Sequence, residues 1–361
     1  MKTSKNSTSA GTTIVLALGI ILVVLAVMSH LHIDSMSPAI ARGQTTESLY
    51  LKILLYQGMI RTYWVYVPSS YDGSRQIPLV LGLHGAGENG YVFAVASGWT
   101  NLSEENGFIL ACPSGSTPYS AGFRWNIYNW TDPPDDVGFL MTLIGQLKSD
   151  YPIDSSRIYM TGYSNGASMT NTFAFKYADV LAAAAPVSGR WMTALGVDPY
   201  SISQPNASLP VYIWRGELET SQNGFETREV QDQLQKQYWI DWNKLDKAAT
   251  YVTAGIYKTE IYSGSQGEVR FTEVEGRSHN TYDPDTTAKI WKDFFTRFRR
   301  EANGRVRVIS SADMTLWMYL AILLAIFAVI GVGVAVAIRK SHKPKLDTSH
   351  LEMTIICQYK S

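Results

Sequence analysis

Short apolar runs of strand length recur at residues 79–83, 108–112, 158–162, 182–187 and 211–214, and helix-like stretches separate them. Buried strands that alternate with helices predict a mostly parallel sheet covered on both faces. Ahead of these runs, residues 49–56 and 59–67 flank Gly58 and partly alternate apolar with polar side chains, which predicts an antiparallel pair at a sheet edge. Val137, Leu140, Ile144 and Leu147 recur at helical spacing, with Asp135 or Asp136 placed to cap the start, a role preferred for this pair over a catalytic one. Residues 227–246 and 286–299 are further helix candidates, the second offering Ile290, Trp291, Phe294, Phe295 and Phe298 to the core. Residues 300–311 read as a linker.

The ends of the chain carry a different signal. Residues 14–28 are continuously apolar and follow Lys2 and Lys5, the pattern of a secretory signal or a signal anchor; the nearest small-x-small site, Ala39-Ile40-Ala41, lies well downstream, so both alternatives stand. Residues 315–338 contain no charge, and at about 1.5 Å per residue they are long enough to cross a hydrocarbon core of roughly 30 Å. Trp317 and Tyr319 lie at the first turn of this expected transmembrane helix, and Arg339, Lys340, Lys343 and Lys345 follow its last. Positive-inside bias then puts residues 1–13, if the first apolar run is retained, and the tail 339–361 in the cytoplasm, and makes residues 42–306 an outward-facing domain in the cell membrane.

Basic and acidic residues balance at 31 each, which points away from a nucleic-acid partner or a polyanionic substrate. The two cysteines are Cys112, inside an apolar run, and Cys357, in the expected tail, so they cannot pair across a membrane. Asn101, Asn129 and Asn206 each open a glycosylation acceptor pattern.

Gly162-Tyr163-Ser164-Asn165-Gly166 sits where an apolar strand ends and a helix begins, so its serine is expected on a strained turn with the hydroxyl exposed. A serine hydroxyl needs a base, and histidine is the usual one near neutral pH. Of the six histidines, His30 and His32 adjoin the first apolar run and His342 and His350 lie in the tail, which leaves His84 and His279. His84 opens His84-Gly85-Ala86-Gly87 directly after a buried strand, where a glycine-rich turn can aim N–H groups at a developing oxyanion. His279 is therefore the expected base. The acid that orients it is sought in Arg215-Gly216-Glu217-Leu218-Glu219, the turn leaving the strand at 211–214; Glu219 has the better spacing and Glu217 is the alternative.

With these motifs the chain resembles secreted carboxylesterases of the feruloyl esterase and polyhydroxybutyrate depolymerase type, within the α/β-hydrolase superfamily. The resemblance covers about residues 50–300 and rests on Tyr66-Val67-Pro68, Leu83-His84-Gly85-Ala86-Gly87, Asp135-Asp136-Val137-Gly138-Phe139, Ile153-Asp154 with Arg157-Ile158-Tyr159, the Ser164 pentapeptide, Ala184-Ala185-Pro186-Val187-Ser188-Gly189 and the late His279. It implies an α/β-hydrolase fold and an esterase that takes an acyl group onto Ser164 and passes it to water without a cofactor or metal. There are departures. Family members usually carry aspartate where Glu219 stands, often glycine where Ala167 stands, commonly histidine or a small residue where Arg215 stands, and a different run after the histidine than Asn280-Thr281-Tyr282-Asp283.

The reading that results is a membrane-tethered serine esterase with Ser164, Glu219 and His279 as catalytic residues. The N–H groups of Ala86 and Asn165 are expected to receive the oxyanion. Trp125 and Tyr163 are expected to line the substrate site, with Tyr128 and Trp130 in the same aromatic-rich segment as Trp125. The expected partners are the lipid bilayer and an ester: phenolic esters of plant polysaccharide first, hydroxyalkanoate oligomers or acetylated glycans second. The rivals are a catalytically dead surface adhesion or receptor domain and a serine peptidase of the same superfamily.

Overall fold

The structure is a computed structural model that describes residues 48–127, 134–200, 207–220 and 227–309. The apolar runs at 14–28 and 315–338, the tail, Cys357, Tyr128, Trp130 and the acceptor residues Asn129 and Asn206 lie outside the described residues. Among the described residues no helix is long and apolar enough to cross a membrane.

In chain order the main elements are strands β1 (Leu49–Tyr56), β2 (Met59–Tyr66) and β3 (Ile77–Leu83), helices α1 (Gly90–Ala96) and α2 (Trp99–Asn106), and strand β4 (Ile109–Pro113). A small ribbon, β5 (Thr117–Tyr119) with β6 (Gly122–Arg124), leads to α3 (Asp136–Asp150), β7 (Ile153–Tyr163), α4 (Asn165–Lys176), β8 (Ala183–Val187), β9 (Val211–Gly216) and α5 (Arg228–Trp242). Strands β10 (Thr250–Ala254), β11 (Tyr257–Gly264) and β12 (Gly267–Val274) follow, then α6 (Pro284–Lys289) and the ribbon β13 (Phe298–Arg300) with β14 (Val306–Val308).

Ten strands form one sheet in the order β1-β2-β4-β3-β7-β8-β9-β12-β11-β10. The inner pairs from β4 to β12 run parallel, whereas β1–β2, β2–β4, β12–β11 and β11–β10 are antiparallel. The period of two in a strand sends Leu79, Leu81 and Leu83 to one face and Val80 to the other, and β3 is buried along its whole length. On the first face they meet Val137, Leu140 and Leu147 of α3, Phe173 of α4 and Trp239 of α5; on the second, Phe93 of α1, Trp99 of α2 and Trp291, Phe294 and Phe295 join Val80. The expected parallel sheet with helices on both faces is what forms.

Asp135 caps α3 by accepting from the Gly138 N–H at 2.8 Å, and Tyr56 donates to its other oxygen at 2.9 Å. Asp136 does a different job: it is buried, takes Arg61 at 2.6 Å, and accepts from Ser116 and the Asn126 N–H. Cys112 is a free buried thiol whose ionisation burial pushes up.

Two expectations at the carboxyl-terminal side are corrected. The helix over 286–299 is only α6 at its start; it passes into a π-helical turn at Ile290–Phe294 and a tight turn at Phe295–Arg297, and the chain is then extended. Residues 300–308, read as linker, instead belong to the β13–β14 ribbon with Val306 buried. The reason is tertiary. Arg300 donates to the carbonyls of Ala178, Leu181, Ser208 and Gly304, and Tyr159 donates to the Phe298 carbonyl, so this backbone is fixed by hydrogen-bond partners most of which are far away in sequence.

Candidate active site

The carboxyl ends of the parallel strands carry the site. Strand β7 stops at Tyr163 and α4 starts at Asn165, which leaves Ser164 alone in the connection with φ 54° and ψ −114°. A side-chain-bearing residue avoids that backbone region, and such strain persists only where the surroundings over-determine it. Here they do. A Cβ on Gly162 would lie 2.5 Å from the Gly166 carbonyl oxygen, and one on Gly166 would lie 2.5 Å from the His84 carbonyl oxygen. Only glycine at both positions lets β7, α4 and the turn after β3 approach this closely. The Ser164 N–H donates to the Val187 carbonyl at 2.9 Å and fixes the bend from β8.

His279 reaches the serine from the loop between β12 and α6. Its Nε2 is 2.7 Å from Ser164 Oγ, and its Nδ1 is 3.4 Å from Glu219 Oε2. The imidazole is 43% exposed, while the Glu219 side chain is 4% exposed. Tyr163 donates its hydroxyl to the His279 carbonyl, so the residue before the nucleophile also anchors the histidine loop. Burial, with the nearby charges of Glu219 and Glu88, pushes that phenol up to about 12, which keeps it a donor at neutral pH.

Glu219 is held on every side. Its Oε1 accepts from Ser188 Oγ and from the Gly216 N–H at 3.1 Å, and Oε2 lies 3.6 Å from Arg228 as well as facing His279. Burial by itself would raise this carboxyl, but the hydrogen bond to His279, the Arg228 charge, the Ser188 hydroxyl and the Gly216 N–H together hold it below the usual carboxylate range. Glu217 faces the other way: it accepts from the Gly276 N–H at 2.9 Å and lies 3.5 Å from Lys258 at the surface. Of the two acids weighed from sequence, it is Glu219 that meets the imidazole.

His84 is fully buried with its ring between two backbone groups. Nε2 accepts from the Gly115 N–H at 2.9 Å, which puts the proton on Nδ1, where the Gly85 carbonyl accepts at 2.7 Å. Burial pushes its pKa down to about 4, against the opposing pull of that carbonyl, so the ring is neutral in the ordinary range. The turn it opens is pinned: the Gly85 N–H donates to Glu88 Oε2 at 3.1 Å and the Gly87 N–H to the Phe123 carbonyl at 2.9 Å. The intervening Ala86 N–H has no acceptor among the described residues. Asn165 is the first residue of α4, so its N–H has no intrahelical acceptor either.

Trp125 departs from its expected place. It is 1% exposed, with its indole N–H donated to the His84 carbonyl at 3.0 Å and its backbone N–H donated to Asn165 Oδ1 at 2.6 Å. It therefore clamps the glycine turn to the elbow and offers no ring face to a ligand, a correction that follows from a buried indole's need for an acceptor. Tyr163 stays half-buried beside the serine. Sequence reasoning missed Ser188, Thr281 and Arg228, which converge on Glu219 either directly or, for Thr281, through its 2.6 Å contact with Ser188 Oγ. Ser188 stands in a quoted motif, but its positive φ of 58° and its inward hydroxyl leave no trace in local sequence.

The fold is α/β-hydrolase-like, and the known proteins that the chain is similar to include esterases. Residues 61–197 match the family model described as Esterase PHB depolymerase, the family the sequence resembles. The chain is 27% identical to poly(3-hydroxyalkanoate) depolymerase C of Paucimonas lemoignei, over 62% of this chain and 59% of that protein. It is 30% identical to feruloyl esterase B of Thermothelomyces thermophilus, over 40% of this chain and 49% of the relative. The chain thus spans less than two thirds of the length of these curated relatives. Among solved structures, acetyl xylan esterase from Aspergillus awamori superimposes with a TM-score of 0.54 at 20% identity, covering 67% of this chain and 98% of the other, and supports the fold.

Proposed function

We propose that this protein is a serine carboxylic-ester hydrolase. The observation that carries the reading is Ser164 Oγ at 2.7 Å from His279 Nε2 on a strained elbow, with Glu219 at the other imidazole nitrogen. His279 takes the serine proton as Oγ attacks the ester carbonyl, and Glu219 stabilises the imidazolium that forms. The N–H groups of Ala86 and Asn165 receive the oxyanion, helped by the positive end of α4. Collapse of that intermediate expels the alcohol, protonated by His279, and leaves the acyl group on Ser164. Water, deprotonated by the same histidine, then releases the acid. Tyr163 forms one wall of the substrate site.

The named relatives act on polyester, feruloyl and acetylxylan substrates, which supports polymer-linked esters as the substrate class, with phenolic esters of polysaccharide first. The apolar runs at 14–28 and 315–338 and their basic flanks support an outward-facing domain on the cell membrane. The test is covalent labelling by a fluorophosphonate probe together with p-nitrophenyl acetate hydrolysis. Wild type should label and turn over, and Ser164→Ala should do neither. A folded wild type that does not label would favour the rival of an inactive surface domain.

A further inference from the structure

The acid of this site sits at the end of a chain of buried charges. Arg228 is the first residue of α5, where a cation opposes the helix dipole and local propensity gives no reason for one. Its guanidinium is nonetheless buried. Nη1 donates to the Gly189 carbonyl at 2.6 Å, Nη2 lies 3.6 Å from Glu219 Oε2, and Nε lies 3.6 Å from Asp232 one turn along the helix. Asp232 in turn lies 3.0 Å from Arg215 of β9, which is anchored on Glu273 of β12 and, at 3.5 Å, on Glu229. Buried charges are costly unless paired, and removing one partner exposes the cost of the other.

We propose that Arg228 is the positioning residue for the catalytic acid: clamped by Gly189 and Asp232, it holds the Glu219 carboxylate ionised and turned toward His279. The proposal rests on the serine-hydrolase reading above. A glutamate has one more torsion to fix than an aspartate, and a hydrogen bond as long as 3.4 Å to His279 does not fix it alone. Ser188 and Gly216 secure Oε1; among the described residues Oε2 has only His279 and Arg228. Burial lifts the Asp232 carboxyl to about 6 against the pull of Arg228 and Arg215, so the arginine and not this carboxyl supplies the steady charge beside Glu219. Among the described residues the other titratable groups near the acid and its clamp are Tyr163 of β7, His279, Lys236 of α5 and Arg215.

The test is the pH dependence of kcat/KM for p-nitrophenyl acetate in Arg228→Gln and Arg228→Lys of the full chain. Loss of a positive charge beside the Glu219–His279 pair favours its protonated state. In Arg228→Gln the acid limb should therefore move up by about half a pH unit or more, and kcat should fall at least about tenfold with KM little changed. Arg228→Lys keeps the charge, so it should keep the wild-type limb while losing part of kcat. If Arg228→Gln does not fold, Arg228→Gln/Asp232→Asn, which removes the buried pair together, is measured instead: kcat should fall as in the single variant, and the limb should move up by less, because loss of the Asp232 carboxylate partly offsets loss of the guanidinium. A folded charge-free variant with the wild-type limb and rate overturns the proposal. Absence of fluorophosphonate labelling in the wild type would overturn the hydrolase reading itself, a separate outcome.

Discussion

The turn after β3 and the loop after β12 each bring a histidine to the carboxyl edge of the sheet, and their surroundings give the two rings opposite properties. His84 is sealed beneath Trp125 with both nitrogens committed to backbone partners, whereas His279 is nearly half exposed with one nitrogen on a serine and the other on a carboxylate. A ring whose two nitrogens are occupied by fixed backbone groups cannot exchange protons with substrate. A ring between a hydroxyl and a carboxylate is set to do so. Burial and partner type, more than residue type, separate scaffold from chemistry.

The largest expected effect breaks the comparison at the working ring. Ser164→Ala and His279→Ala should each lower kcat by at least about 10³-fold while leaving the melting temperature close to wild type, checked by ester hydrolysis and thermal unfolding of the same preparations. Retention of most activity in either variant would dismantle the pairing.

Next comes the acid, where Glu219 and Glu217 repeat the contrast two residues apart. Glu219→Gln should cost about 10²-fold or more in kcat with little change in KM, and Glu217→Gln should stay near wild type because its partners are Lys258 and the Gly276 N–H at the surface. Glu219→Asp sharpens this. A shortened side chain cannot keep Ser188, Gly216, Arg228 and His279 together, so steady-state rates should drop by about tenfold or more. If Glu217→Gln proves the crippling change, the acid is misassigned.

His84→Gln probes the scaffold side. Loss of a buried ring with two backbone hydrogen bonds should cost about 1–3 kcal/mol, seen as a fall of several degrees in melting temperature, with the acid limb of the rate profile unmoved. A moved limb would make His84 the titrating base.

The smallest effect is in pH. Because the folded state holds His84 at about 4 against an ordinary 6.5, the unfolded chain binds more protons between these values. The stability contributed by a neutral His84 is present above pH 6.5 and is lost as pH falls toward 4, by at most about 3 kcal/mol. Asp232, raised to about 6 from 3.8, works in the other direction over much of this window, so the quantity to measure is wild type minus His84→Gln. A difference that does not change with pH would show that the ring is not excluded from protonation by the fold.

Much of the fold was legible because its signals are local. A strand buried on both faces, such as β3, must be apolar at every position, and the β1–β2 pair declares itself by Gly58 and partial alternation. By contrast β10 is exposed at every position, so its Tyr251 and Val252 form no buried run, and the end of α6 is shaped by the Tyr159 hydroxyl and by carbonyl acceptors for Arg300 that lie more than ninety residues away. Ser164 and His279 were found by motif and by elimination among few histidines. Trp125 was misread, since an aromatic residue in an irregular segment looks the same whether its indole faces a ligand or a carbonyl.

By itself the sequence determined the antiparallel entry pair, the alternation of buried strands with helices, the strained serine turn and the histidine available to serve it, because hydrophobic period and glycine chemistry are properties of neighbouring residues. Only the tertiary structure decided which glutamate meets that histidine, that Ser188 and Arg228 hold it, and that Trp125 is a clamp. Those outcomes depend on burial and on which opposite charges and hydrogen-bond partners are brought together across the sheet, and burial sets whether a charge is tolerated, paired or silenced.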